Sequence, residues 1–179
     1  MSYFVFVDNS NVWIEGKFVS AVKKGWANSI FQAHQIGAED SAWRIDFGKL
    51  LQFVTDNHVA DVKRAVLFGS KPPQNDSLWD AMRNAQFEVS ALDRNVANKE
   101  KAIDTGIVQE IAKSLYKDAT EGDIFILVLG DKDFVPSVSA IRQENLIAKV
   151  AFWNHASGEL VGEANEFIDL TKNIDSISH

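Results

Sequence analysis

The chain has 179 residues, 46% of them hydrophobic and 11% aromatic, and a formal net charge of −7. That length suits one α/β domain over residues 1–179, and the apolar content excludes a disordered chain. Cysteine is absent, which excludes a disulfide scaffold, a thiolate zinc site and a cysteine nucleophile, while the acidic balance argues against a broad basic surface for nucleic acid.

Tyr3 to Val7 reads as a first strand stopping at Asp8, without the basic start of a signal peptide. The segment from Gly25 to Asp40 has little periodicity and reads as an irregular excursion near a first helix. Phe47, Leu50, Leu51 and Val54 then share one helical face. Val62 to Phe68 is a second strand, ended by Gly69-Ser70 and the Pro72-Pro73 pair, and a helix is expected over Asp76 to Ala85. Phe87 to Leu92 makes a third strand, followed by a helix whose Ile103, Ile107, Ile111 and Leu115 share a face. Ile124 to Leu129 is apolar on both faces, as a central parallel strand is. A helix over Val135 to Glu144, a fifth strand over Ala148 to Trp153 and a short edge strand at Phe167 to Leu170 complete the chain. The alternation predicts an α/β fold, a three-layer Rossmann-like sandwich around a mostly parallel sheet of about five strands. No apolar run approaches the roughly 20 residues of a membrane span, so no membrane association and a cytoplasmic location are expected.

Open α/β sheets bind ligands at the carboxyl ends of their strands. Asp8 follows the first strand in Val7-Asp8-Asn9-Ser10-Asn11, and Asp131 and Asp133 follow the fourth in Gly130-Asp131-Lys132-Asp133-Phe134-Val135-Pro136. Asp104 stands at the start of a helix after Lys99-Glu100-Lys101. Acids gathered this way repel one another unless protonated or neutralised by a cation. Mg²⁺ or Mn²⁺ takes oxygen ligands and supports phosphodiester hydrolysis, and its own charge offsets the acids it binds. Each acid also has a plainer reading as a helix N-cap, and Asn11 as a cap or turn residue.

These motifs, in this order, resemble the NYN (DUF88/LabA-like) family of the PIN-like nucleases, with its D-x-x-N, K-x-x-D and S-G-D-x-D-F-x-P patterns. The ending, Leu160 then Ala164-Asn165-Glu166-Phe167-Ile168-Asp169-Leu170, adds to the likeness, which runs from Phe4 to Leu170. The resemblance implies a metal-dependent ribonuclease in which Asp8, Asp104, Asp131 and Asp133 are the catalytic, metal-holding acids. It implies substrate contacts from Asn11, Lys101 and Lys132, with Arg142 a further phosphate contact, and RNA as the partner. A homodimer stays open. Leu129 stands where the family often has Ser, Asn165 where it often has Asp, and Glu110 where a further acid is common. A non-catalytic regulatory module that keeps the NYN fold and binds RNA or protein is the alternative.

Other chemistry finds less support. No Gly-x-Ser-x-Gly elbow, dinucleotide fingerprint or Walker motif is present. The four histidines, His34, His58, His155 and His179, lack metal spacing and are expected on the surface or in structural roles, His155 least clearly. Among Trp13, Trp26, Trp43, Trp79 and Trp153, core packing is expected for most, with Trp13 and Trp153 near strand ends where an indole can stack on a base.

Overall fold

The protein is described by a computed structural model over residues 1–70, 83–92 and 99–179. Six strands form one sheet: β1 (Tyr3–Asp8), β2 (Val62–Ser70), β3 (Glu88–Leu92), β4 (Ile124–Val128), β5 (Ile147–Phe152) and β6 (Glu166–Asp169). Their order is β3-β2-β1-β4-β5-β6, and every neighbouring pair is parallel. The sheet has six strands where about five were expected, because the short edge segment pairs with β5 through Val150–Phe167 and Ala151–Ile168.

Alternation along the strands divides the core into two layers, as it must when both faces are covered. Val5 and Val7 of β1, with Ile126 and Val128 of β4, pack on α1 (Asn9–Lys23), α3 (Phe47–Val54) and Ile174 and Ile177 near the chain end. Phe4 and Phe6, with Phe125 and Leu127, face the other way. There they meet α4 (Lys99–Lys117), α5 (Val135–Gln143) and Leu160 of α6 (Gly158–Glu163). The predicted stripe Ile103, Ile107, Ile111 and Leu115 is the buried side of α4.

One expectation is corrected between Gly25 and Asp40, where α2 (Ile30–Ile36) forms instead of an irregular stretch. Its signals are local. The Ser29 side chain accepts from the Gln32 N–H at the start, and Gly37 closes the end with φ 66°, a conformation open to glycine. Only Ala33 of this helix is buried while Phe31 and Ile36 are exposed, so it carries no apolar stripe to read. The expected helix Asp76–Ala85 and Trp79 lie outside the described residues, apart from positions 83–85. Among the described residues no helix is long and apolar enough to cross a membrane.

Candidate functional site

A parallel sheet gathers the segments that follow its strands along one edge. Where the order of connection reverses, adjacent loops diverge and leave a crevice. Here the reversal lies between β1 and β4. Asp8 ends β1 and caps α1, its Oδ1 accepting the Asn11 backbone N–H at 3.2 Å. The capping reading is therefore correct for Asp8 without excluding a second role. The Asn11 side chain then donates from Nδ2 to Asp131 Oδ2 at 2.7 Å, across to the loop after β4. One asparagine thus ties the two strand ends together.

A cavity of about 500 Å³ opens at this point, with Asp8, Asn11, Asp104 and Asp131 in its wall. Asp8 is 5% exposed. Burial raises its pKa from 3.8 to about 6, and the charges of Asp104 and Asp131 push the same way against the Asn11 N–H. Three carboxylates thus share one electrostatic neighbourhood. Asp104 lies within the second turn of α4, not at its N-cap, because the helix begins at Lys99.

The remaining expected residues stand apart. Asp133 and Lys132 are exposed on the short 3₁₀ turn Lys132–Phe134, and Lys101 is exposed on α4; none contributes to the cavity wall. Asp133 does not cap α5, whose N-cap is Phe134 with no side-chain cap bond. Arg142 donates to the Glu163 carbonyl at 2.8 Å and to its carboxylate at 3.2 Å, so its guanidinium is already engaged. Glu110 pairs with Arg64 at 2.6 Å and Asn165 accepts the Ala148 N–H at 2.8 Å, which gives both residues structural work. Leu129 is fully buried in the α4–α5 layer. Trp153 is also fully buried, its Nε1 donating to the Val12 carbonyl at 3.1 Å, so it offers no face to a base.

A second cluster in the cavity lining was not anticipated. Glu15 of α1, His34 of α2 and His155 after β5 line the same cavity. Glu15 Oε2 lies 2.9 Å from His34 Nε2 and 2.8 Å from His155 Nε2. Burial works against the Glu15 charge, but the hydrogen bonds from His155 and His34 outweigh it and hold its pKa below the ordinary value. A carboxylate only accepts, so both imidazoles donate to it. Glu15 follows Asn11 by one helical turn and His155 follows the end of β5, signals that strand-end reasoning was able to use. His34 gave none, since it sits in the segment without periodicity.

The fold has a solved counterpart. The crystal structure of VPA0982, a protein of unknown function from Vibrio parahaemolyticus RIMD 2210633, superposes with a TM-score of 0.69 over 99% of this chain and 96% of that one. The two are 18% identical, which establishes the shared fold and no more. No curated protein matches the chain significantly. The NYN domain matches residues 3–171, nearly the whole length and every motif at the crevice. The chain belongs to the NYN domain family, whose members are generally nucleases and which falls within the PIN-like superfamily.

Proposed function

We propose that the chain is a single-domain hydrolase, spanning residues 1–179, that cleaves RNA phosphodiester bonds with the help of Mg²⁺ or Mn²⁺. The observation that carries this reading is the Asn11 tie, which holds Asp8 and Asp131 at one crevice beside Asp104. The donors there are carboxylate oxygens, the chemistry that hard divalent cations take. Among the described residues no three Asp, Glu or His side chains stand close enough to enclose an ion unaided. The set therefore suits a cation that keeps several waters and takes one or two carboxylates directly, as Mg²⁺ commonly does.

Asp8, Asp104 and Asp131 would hold such an ion, directly or through its waters, and when bound it would supply positive charge for the phosphate and a more acidic water. Asn11 orients Asp131 and fixes the β1 loop. Lys101 and Lys132, both exposed, are placed by this reading along the path of the RNA backbone, and Asp133 would complete the acidic set or orient the attacking water. The absence of cysteine supports a reducing cytoplasm as the place of action.

Incubation of single-stranded RNA with the purified protein and Mn²⁺ tests the reading. Cleavage is expected, and it should disappear with EDTA and with Asp131→Asn; cleavage that persists in either control rejects it. The lack of a closed ligand set favours one competing reading, a non-catalytic module of the same fold that binds RNA or protein. Calorimetric titration separates the two, since the module predicts no Mn²⁺ binding at millimolar concentration.

A further inference from the structure

The cavity is lined by more than acids. Beside Asp8, Asp104 and Asp131 its lining includes Ile14 and His34. A hard cation takes oxygen ligands, so an isoleucine serves neither the ion nor a phosphate. Ile14 is nonetheless 44% exposed there.

Ile14 belongs to a stripe of α1. Asn11, Ile14, Glu15 and Phe18 follow one another at the three- and four-residue spacing that keeps side chains on one side of a helix. The start of the stripe is tied to the acids, since Asn11 donates to Asp131. Its other end holds His34. Glu15 accepts from Nε2 of that ring at 2.9 Å, and Phe18 packs on it with centroids 4.0 Å apart and planes inclined by 33°. The imidazole is thus fixed through one nitrogen and one face, yet its side chain stays 42% exposed. A ring already held in place loses little freedom when something packs on it.

The charge of the chain points the same way. It has 25 acids against 18 lysines and arginines, so neutralised phosphates supply only part of any affinity for a nucleic acid. Bases packed on flat or apolar side chains add affinity without needing positive charge. Histidine is among the side chains on which unpaired RNA bases stack.

We infer that Ile14 and His34 form the subsite for one unpaired RNA base, in a strand whose phosphate is taken up at the acids of the same cavity. The assignment rests on reading the cavity as an RNA site, and not on cleavage there. A base inside a duplex has both faces covered by its neighbours, so the strand is single at this point. Glu15 and Phe18 are positioning residues, acting through the His34 ring.

Fluorescence anisotropy of the full chain in Ca²⁺ tests it with two labelled probes. One is an unstructured RNA octamer containing all four bases; the other is the same ribose–phosphate chain with hydrogen in place of every base. Wild type is expected to bind the first at least about tenfold more tightly. Ile14→Ala and His34→Ala should each weaken binding of the first probe by about five- to tenfold and stay within about twofold of wild type on the second. His34→Phe keeps a flat ring but not the bond to Glu15, and should stay within about threefold of wild type on the first probe. Thermal melts check the fold of each variant, and the exposed Ile14 is the position least coupled to it. Equal binding of the two probes by wild type, equal losses on both in the alanine variants, or a His34→Phe as weak as His34→Ala overturns the assignment. A wild type that binds neither probe rejects the RNA reading, and the assignment falls with it. Base-dependent binding with no cleavage in Mn²⁺ upholds the subsite and rejects the hydrolase.

Discussion

Asp8 is a carboxylate placed where its charge is costly, so removing the charge should stabilise the metal-free protein. Its pKa rises from 3.8 to about 6, through burial first and the charges of Asp104 and Asp131 after it. Between those values the folded protein holds a proton that the unfolded chain has released. The stability Asp8 contributes is thus fully present below pH 3.8 and is lost as pH rises through 6. The rise from 3.8 to about 6, at about 1.36 kcal/mol for each pH unit, sets the loss by pH 7.5 at about 3 kcal/mol. An asparagine side chain in place of Asp8 carries no charge and is an equally good N-cap, so the bond to the Asn11 N–H is retained. Asp8→Asn is therefore expected to be more stable than wild type by up to about 3 kcal/mol at pH 7.5, and by only about 1 kcal/mol at pH 4.5. For a chain of this size that is a gain of up to about 6–12 °C in Tm at the higher pH. Urea unfolding followed by circular dichroism in EDTA at the two pH values measures it. A variant that is no more stable than wild type at pH 7.5, or whose advantage does not change with pH, refutes the argument. Added Mn²⁺ should narrow the gap, because an ion bound at the acids stabilises wild type and has lost a ligand in the variant.

Asp123 should behave in the opposite sense. Burial works against its charge, but hydrogen bonds from Thr120 and Ser2 outweigh burial and lower its pKa. Its contribution is present at neutral pH and lost as pH falls through the acidic range. Asp123→Asn should cost about 1–3 kcal/mol at pH 7 and progressively less on acidification, as read by the same urea titrations. Gly16 faces the edge-on pair Trp43 and Trp153, whose centroids are 5.7 Å apart, and a Cβ there would lie 2.3 Å from Trp43 and 2.8 Å from Trp153. Both rings are held in the core, so Gly16→Ala should destabilise by about 1–3 kcal/mol in thermal melts despite its better helix propensity.

The local code of the chain is strong. Short continuous apolar runs mark the strands and the 3.6-residue stripe of α4 marks its buried side, because each depends on neighbours within one element. Strand-end logic also located Asp8 and Asp131, since a parallel sheet sends the residues after its strands to one edge whatever the details of packing. These features, with the order of the motifs, were enough to indicate an α/β fold and an NYN-type arrangement of acids. The helix α2 escaped because its two ends are specified by single residues, Ser29 and Gly37, and its middle buries only Ala33.

What only the tertiary structure decided is which side chains meet. Glu15 and His155 are 140 positions apart and His34 arrives from a helix with no apolar stripe, so no spacing rule connects them. Arg64, Arg142 and the Ala148 N–H claim Glu110, Glu163 and Asn165, and these partners come from other elements. Pairing energies of that kind depend on distance and burial, which sequence spacing does not encode beyond a helical turn or a strand. Asp8 and Asp131 were written into the sequence by their place after strands; the cluster of Glu15, His34 and His155 exists only because the sheet, α1 and α2 fold against one another.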